Sequence, residues 1–201
     1  MSDKGMPKRR VITGLTKFYL KVPLERIGVL IGSGGKVIKE LMNRTNTIIT
    51  VDSANGTVII EPSSSSTSPL NLLKAQDFIK AISIGFSPER AWRVLDEEQV
   101  LIVLDLKQYI GSSQSHLTRI KGRIIGEEGK ARKNIEQMTG TYISIYEDYV
   151  GIIGDYESAN VAKEAIEMLI QGRQHSTVYR YIDRAMREIK RRSMTQLWRR
   201  F

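Results

Sequence analysis

Two short loops bounded by glycines carry the residues of this sequence best suited to chemistry. They are residues 32–35 (Gly-Ser-Gly-Gly) and residues 126–129 (Gly-Glu-Glu-Gly), and a lysine follows each, Lys36 and Lys130. Glycine has no Cβ, so such a loop lets the backbone come close to a phosphodiester. A helix that begins at the lysine would turn its unpaired N–H groups and positive dipole end toward the same anion. The spacing predicts a phosphate-binding loop that occurs twice.

The two loops belong to an internal repeat at an offset of 94 residues. Over residues 27–52, nine positions are identical to their counterparts, without a gap. Beyond the loop, for example, Lys39 aligns with Lys133. Chance similarity would not keep register across a Gly-rich loop, a helix and a strand. The chain therefore contains two copies of one structural unit.

The elements that must position the first loop follow from hydrophobic periodicity. We predict the order strand, helix, helix, strand, strand, helix. In the turn between the last two strands, Asn55 and Gly56 are expected to supply positive φ angles. The predicted ranges are 17–22, 23–31, 36–44, 47–51, 57–61 and 70–84.

The second copy repeats this order after a linker. Ser87 as cap and Pro88 at the first helical position predict a linker helix to about residue 95. The second copy then departs from the first through a Gly-Ser-rich segment, 107–117, and a further helix near 176–193 has no counterpart. The predicted domains are a basic N-terminal tail at 1–10, a first domain at 11–85, the linker helix at 86–98, a second domain at 99–172, and a basic C-terminal helix and tail at 173–201.

This order of elements, with Ile-Gly-x-x-Gly between two helices, resembles the type I KH domain over residues 14–84 and 99–172. The resemblance implies an α+β fold of two tandem type I KH domains (βααββα), each a three-stranded antiparallel sheet packed on helices, with an extra C-terminal helix. It also implies that each loop clamps about four nucleotides of single-stranded RNA while the bases lie over an apolar groove. In the first copy the resemblance assigns that groove to Ile27, Val29, Leu30, Ile31, Ile48 and Thr50.

The two loops differ in the charge that they present. Ser33 and Gly34 are small and neutral, whereas Glu127 and Glu128 place two carboxylates where phosphates would pass. That arrangement is repulsive unless neighbouring cations outweigh it. We expect the first copy to make the conventional contact, and the second copy either to bind a defined RNA through flanking cations or to contact a protein.

The candidate RNA-binding residues are the two loops with their neighbouring cations. A solvated helix face is the alternative interpretation of these lysines and arginines, although Arg132, in the place of Ile38, makes the second helix unusually basic. The candidates are Gly32, Ser33, Gly34, Gly35, Lys36 and Lys39 in the first copy, and Lys121, Arg123, Gly126, Glu127, Glu128, Gly129, Lys130, Arg132 and Lys133 in the second.

Several other kinds of site do not fit the sequence. A nucleotide-binding P-loop needs Ser or Thr after its lysine, and Val37 and Ala131 stand there. The chain has no Cys and only two His, His116 and His175, so we expect no metal site and no cofactor. Carboxylate pairs or His-centred triads placed for catalysis are not recognisable, and we predict a protein that is not an enzyme.

The net charge of +9 is concentrated at the two ends. Residues 1–10 carry +3 and residues 173–201 carry +7, which leaves −1 for the residues between them. In the C-terminal segment, basic residues recur at helical spacing with apolar residues between them, so one face can pack while the other binds RNA phosphates. An anionic membrane is the alternative, but the apolar face is weak for it. The basic residues of this helix are Arg180, Arg184, Arg187, Lys190, Arg191 and Arg192.

A narrower family resemblance rests on the second copy. Residues 122–132 (Gly-Arg-Ile-Ile-Gly-Glu-Glu-Gly-Lys-Ala-Arg) and 139–144 (Thr-Gly-Thr-Tyr-Ile-Ser), with two KH units and a short basic N-terminus, are similar to the archaeal Dim-two-like proteins of the partner-of-Nob type. Membership implies a small-subunit ribosome assembly factor that binds the 3′ end of small-subunit rRNA. It also implies contact with the rRNA maturation endonuclease and with the alpha subunit of initiation factor two.

Two other functions stay open at this point. The same folds would serve a general KH-type mRNA-binding regulator, or a protein-interaction scaffold that uses the KH units structurally. No apolar run approaches the roughly 20 residues needed to cross a bilayer, and the first eleven residues lack a secretory apolar stretch. We expect a cytoplasmic monomer that does not bind membranes.

Overall fold

The computed structural model describes residues 17–198. The predicted basic tail at 1–10, with Lys4, Lys8, Arg9 and Arg10, lies outside the described residues. The chain divides into two compact units between Gln76 and Asp77, and each is described by itself.

The first unit holds a three-stranded antiparallel sheet in the order β1-β3-β2. Its register places Tyr19 opposite Ile59 and Ile49 opposite Ile60. The order of elements agrees with the sequence prediction. The strands are β1 (Phe18–Lys21), β2 (Thr47–Asp52) and β3 (Thr57–Pro62), and the helices are α1 (Leu24–Ile31), α2 (Lys36–Thr45) and α3 (Pro69–Ser83), within which the division falls.

The apolar periodicity of α1 and α2 supplies the core of this unit. Ile27 and Leu30 of α1, Leu41 of α2 and Val58 and Ile60 of β3 are buried. This corrects the expected groove, because Ile27 and Leu30 cannot both fill the core and receive a base. The two groove positions expected on β2, Ile48 at 42% exposure and Thr50, are exposed.

The turn between β2 and β3 differs from its sequence prediction. Gly56 has a positive φ of 69°, but Asn55 has not. Instead, the Asp52 carboxylate accepts the backbone N–H groups of Ala54 and Asn55, at 3.0 and 3.3 Å, and the Asn55 side-chain amide at 2.8 Å. These hydrogen bonds, the side-chain one foremost, lower the pKa of Asp52. The turn is therefore set by one left-handed glycine and a carboxylate that satisfies the loop N–H groups.

The second unit contains the other three-stranded antiparallel sheet, in the order β4-β6-β5. Its strands are β4 (Gln99–Asp105), β5 (Tyr142–Tyr146) and β6 (Tyr149–Asp155). Its helices after the end of α3 are α4 (Pro88–Ala91), which continues as a 3-10 turn (Trp92–Leu95), α5 (Leu106–Ile110), α6 (Gln114–Ile125), α7 (Lys130–Thr139), α8 (Tyr156–Ile170) and α9 (His175–Trp198).

Helix α5 corrects the prediction of a Gly-Ser-rich segment from residue 107. Asp105 caps the helix, because its carboxylate accepts the N–H of Lys107 at 2.9 Å. Leu106 is fully buried and joins the core of the unit. One buried leucine and one cap thus suffice for a single helical turn, which ends at Gly111 with a φ of 70°.

Helix α9 is an integral part of the second unit. Its Val178 and Ile182 are fully buried in the same core cluster as Ile135 of α7 and Leu169 of α8. The predicted extra C-terminal helix therefore packs on the second unit through its apolar face.

The segment that follows α3 covers the outer face of the second sheet. A Cβ placed on Gly151 of β6 would lie 2.4 Å from Ile84 and 2.6 Å from Phe86. The Ser144 hydroxyl of β5 donates to the carbonyl oxygen of Ile84 at 2.9 Å. Only a glycine allows such a close approach. The predicted linker is thus a packed part of this unit.

Within residues 17–198, no helix is both long and apolar enough to span a membrane.

Candidate nucleic-acid interface

The first loop is a tight turn made of left-handed glycines. Gly32, Gly34 and Gly35 have φ values of 70°, 60° and 76°. The N–H of Gly35 donates to the carbonyl oxygen of Gly32 at 3.1 Å, and α2 begins directly at Lys36. Because the first turn of a helix leaves its N–H groups without helical partners, these groups face the loop. The sequence prediction of a glycine loop at a helix N-terminus agrees with this geometry.

Close packing explains the glycine at the start of the loop. A Cβ on Gly32 would lie 2.4 Å from Cγ2 of Val37. Around Gly34 there is open space instead, with nothing within 4 Å of such a Cβ. The loop is therefore anchored at Gly32 and open at Gly34, where a ligand backbone could approach.

Two lysines stand beside this opening. The Lys39 side chain folds back toward the loop, since a Cβ on Gly35 would lie 3.6 Å from its Cε and 3.9 Å from its Nζ. Lys36 is exposed. The structure thus brings all six candidates of the first copy, residues 32–36 and Lys39, to one surface, and this arrangement can bind an anion with backbone N–H groups and two ammonium groups.

The second loop has the same backbone path with different side chains. The N–H of Gly129 donates to the carbonyl oxygen of Gly126 at 3.2 Å, as in the first loop. A Cβ on Gly126 would lie 2.6 Å from that of Ala131. Glu128 has a φ of 53°, a left-handed conformation that side chains with a Cβ rarely adopt. Its carboxylate is exposed and lies 3.4 Å from Nζ of Lys130.

Most of the cations expected to offset these carboxylates have internal partners. Lys121 donates to the carbonyl oxygen of Glu147 at 3.1 Å and lies 3.8 Å from the Asp148 carboxylate. The Arg123 guanidinium donates to the carbonyl oxygen of Arg173, and Nε of Arg132 lies 3.9 Å from the Glu136 carboxylate. Lys133 is exposed and forms no ion pair with another residue in 17–198. All of these candidates lie in the second unit, but several of them are engaged in hydrogen bonds or ion pairs within that unit.

A set of contacts that the sequence did not reveal covers one edge of the second unit. The Glu136 carboxylate accepts from Arg90 at 3.0 Å and from the N–H of Ile143 at 2.7 Å. Arg90 and Arg93 lie 5.0 and 5.3 Å from the centre of the Tyr142 ring. At the offset of 94, Tyr142 matches Ile48, which is exposed in the first unit. The strand position that is exposed in the first unit is therefore contacted by two arginine side chains in the second.

One feature of the sequence could have indicated that another segment packs on the second sheet. Glycine inside a strand marks a place where another element comes close, and Gly151 of β6, which meets Ile84 and Phe86, is such a glycine. The first copy has no such glycine in β3.

Among the described residues, no group of three or more His, Cys, Asp or Glu side chains is placed to hold a metal ion.

Comparison with known families matches both units. A KH-domain model matches residues 17–81, and a model for the eukaryotic-type KH domain of type I matches residues 100–187. The α+β fold with two KH units is thereby confirmed. The second match extends well into α9, so that helix belongs to the family pattern.

The relatives narrow the family. A KH domain-containing protein of Methanocaldococcus jannaschii is 41% identical over 180 residues, covering 90% of this chain and 78% of the relative. In the crystal structure of an a/eIF2alpha–aDim2p–rRNA complex from Pyrococcus horikoshii, the matching chain is 42% identical with a TM-score of 0.81, covering 88% of this chain and 97% of that one. The chain belongs to the Dim2/PNO1 family of KH-domain proteins.

Two further comparisons show higher and lower similarity to this chain. The crystal structure of a protein of unknown function from Aeropyrum pernix has a TM-score of 0.90 and 57% identity, covering 93% of this chain and 99% of that one. A pre-rRNA-processing protein PNO1 of Coccidioides immitis is 27% identical over 186 residues, covering 89% of this chain and 73% of the relative. The family resemblance seen in the sequence is confirmed.

Proposed function

We propose that this Dim2/PNO1 protein is a non-catalytic RNA-binding protein that clamps single-stranded RNA through its Gly-x-x-Gly loops. One observation carries the proposal: the first loop joins left-handed glycines, the start of α2, and Lys36 and Lys39 at an open surface. Such a surface fits a phosphodiester backbone better than a neutral ligand. Binding and orientation need no reacting group, and the loop glycines offer none.

We further propose that the bound RNA is the 3′ end of small-subunit rRNA and that the protein assists assembly of the small ribosomal subunit. Support comes from the relatives, since one is named a pre-rRNA-processing protein and another was crystallised with rRNA. The same complex contains a/eIF2alpha, which supports the alpha subunit of initiation factor two as a partner.

The rRNA maturation endonuclease is a further proposed partner, from the family resemblance alone. The proposed site of action is the cytoplasm, where archaeal relatives would assemble ribosomes.

One variant in each loop tests the clamp. Gly34→Asp and Gly129→Asp each place one carboxylate at a left-handed glycine with no atom within 4 Å of the new Cβ. Asp tolerates this conformation better than most residues, so both variants should fold. Gly34→Asn and Gly129→Asn have the same shape without the charge and serve as controls. We expect Gly34→Asp to weaken binding of a labelled single-stranded RNA at least tenfold, and Gly129→Asp to weaken it less. Unchanged binding in both Asp variants would refute the clamp, and equal losses would refute the difference between the loops.

Salt dependence tests the phosphate contacts independently. If about five phosphates are neutralised, the logarithm of the affinity should fall against the logarithm of salt concentration with a slope near −3.5. A flat dependence would contradict the proposal. Crosslinking in the native cell, followed by sequencing of the attached RNA, would show a peak at the rRNA 3′ end for an assembly factor and dispersed mRNA sites for a general regulator.

A further inference from the structure

The outer face of α9 carries a stripe of arginines. Arg180, Arg184, Arg187 and Arg191 are exposed and spaced four, three and four residues apart, so they lie on one side of the helix. Val178 and Ile182 lie fully buried on the opposite side. The arginines are therefore displayed to solvent by a helix whose other face is fixed in the core.

Three of these arginines have no ion-pair partner within residues 17–198. Arg187 lies 2.7 Å from the Asp183 carboxylate. Arg180, Arg184 and Arg191 form no ion pair with any other side chain in the described part of the chain. We call these three residues the arginine face.

The start of α9 lies beside the second loop. Nε2 of His175 donates to the carbonyl oxygen of Arg123 at 3.0 Å, three residues before Gly126. One turn farther along, Nδ2 of Asn134 in α7 donates to the Tyr179 hydroxyl at 3.4 Å. Helix α9 thus runs along α7 from the loop, and Arg180 directly follows the residue that touches α7.

The cations that flank the second loop, Lys133 apart, make contacts within the unit, whereas the three residues of the arginine face form no ion pair in the described part of the chain. Lys121 faces Asp148, Arg132 faces Glu136, and Lys130 faces the loop carboxylate itself. A polyanion that passes the second loop and continues along α9 would therefore meet, in addition to Lys133, three guanidinium groups that are not held in ion pairs.

We infer that the arginine face binds the sugar-phosphate backbone of single-stranded RNA that leaves the second loop. The inference rests on the proposed RNA-binding function and adds a second, sequence-independent contact to it. Guanidinium groups are suited to phosphate because they donate paired hydrogen bonds in a fixed plane. The face offers no apolar anchor between residues 176 and 191, whereas protein interfaces normally bury one. An acidic protein partner is the other outcome of the test.

A charge-matched pair of variants in the full chain tests this. Arg180→Gln/Arg184→Gln removes two charges from the face. Lys107→Gln/Lys163→Gln removes the same number of charges from α5 and α8, at an exposed and a half-buried lysine that are paired with Asp148 and Glu167. Each is measured with a labelled RNA of about four nucleotides, enough for one loop, and with a longer single-stranded RNA. For the longer RNA, we expect the arginine variant to bind on the order of tenfold more weakly near 0.1 M salt, with a salt slope shallower by about 1.4. The short RNA and the lysine control should bind as in the wild type.

The outcomes separate this inference from the proposed function. If the wild-type chain binds neither RNA, the proposed function fails and the inference with it. If the wild type binds and the arginine variant binds the longer RNA equally well, the function stands and the inference is overturned, in favour of an acidic protein partner. Equal losses in the arginine variant and the lysine control would indicate only general attraction, and would also overturn it.

Discussion

Gly34 and Glu128 occupy the same backbone position in the two loops, with φ values of 60° and 53°. The left-handed conformation is therefore a property of the loop, and the second copy adopts it with a residue that has a Cβ. Such a conformation costs on the order of 1 kcal/mol for a residue other than glycine. The second loop combines this strain with a negative charge at the place where the first loop is neutral and open.

Replacing the strained residue should stabilise the second unit. We expect Glu128→Gly to raise the free energy of unfolding by roughly 1 kcal/mol, because glycine adopts positive φ without a steric cost. Glu127→Gly is the matched control. Since Glu127 has no positive φ, this change should lower stability by about 0.5–1 kcal/mol. Urea denaturation measures both, and stabilisation by both variants would contradict the assignment of strain to residue 128.

The loop carboxylates should weaken RNA binding even where the fold is unchanged. Each unit charge contributes about 0.5 kcal/mol at roughly 8 Å in water. Glu127→Gln/Glu128→Gln should therefore bind single-stranded RNA about fivefold more tightly at low salt. Glu97→Gln/Glu98→Gln removes two adjacent exposed carboxylates elsewhere in the same unit. If this control tightens binding equally, the effect belongs to net charge and not to the loop.

Replacing either of two glycines in the first loop by alanine should lower the free energy of unfolding, but by different amounts. In Gly32→Ala the new Cβ would meet Val37 at 2.4 Å in addition to the left-handed strain, so we expect a loss of roughly 2–4 kcal/mol. In Gly35→Ala the nearest atom is Cε of the flexible Lys39 at 3.6 Å, and only the φ of 76° is costly, at about 1 kcal/mol. Thermal or urea unfolding distinguishes the two, and equal losses would show that packing against Val37 is unimportant.

The hydrogen bond from the Ile143 N–H to Glu136 should contribute more to the stability of the second unit than the ion pair between Glu136 and Arg90. Its side chain is 11% exposed, and its carboxylate accepts hydrogen bonds from the N–H of Ile143 and from Arg90. Glu136→Ala leaves that N–H without an acceptor and should cost about 2–3 kcal/mol, whereas Glu136→Gln keeps an acceptor and should cost about 1 kcal/mol. Arg90→Ala, measured in parallel by urea denaturation, should also cost less than Glu136→Ala. If it costs as much, the ion pair is the more important contact.

The stability of the second unit should fall in alkaline solution through Tyr109. Tyr109 is 45% exposed as a whole, but desolvation of its hydroxyl, with a 2.8 Å hydrogen bond from that hydroxyl to Glu167, raises the pKa of Tyr109 to about 12. The folded state therefore holds this proton more tightly than the unfolded chain, whose tyrosines titrate near 10. The contribution is complete below about pH 10 and is lost as pH rises toward 12. Tyr109→Phe should lessen the decline of unfolding free energy over this range. Tyr156→Phe, at a ring that is 68% exposed, is the control.

A matching decline in Tyr109→Phe and wild type would contradict the role of this hydroxyl. The pKa of Tyr181 is also raised, by burial and by its hydrogen bond to Glu164. Part of the alkaline decline should therefore persist in Tyr109→Phe and disappear in the double variant with Tyr181→Phe.

The repeat, the order of its elements and the two loops could be predicted from the sequence because their causes are local. Periodicity at 2 and 3.6 residues assigns strands and helices, and the glycines at 32 and 126 are the positions at which a Cβ would strike the next helix. The predictions failed where a local rule allowed two answers. Asp52 accepts the N–H groups of a turn in which Asn55 was expected to supply a positive φ, and α5 forms over residues 106–110 although a Gly-Ser-rich segment was predicted from residue 107.

Tertiary structure alone decided which candidate charges are available. Lys121 and Arg123 stand next to the loop in sequence, yet their partners Asp148 and Arg173 come from chain segments far beyond it. Ile84 and Gly151 meet across the second sheet although 67 residues separate them. A backbone conformation depends on its own residue and close neighbours, whereas the free charge of a side chain depends on which distant groups packing brings to it. The sequence therefore determined that the two loops share one backbone conformation. The tertiary structure decided which of the charged side chains around each loop are free to bind a ligand.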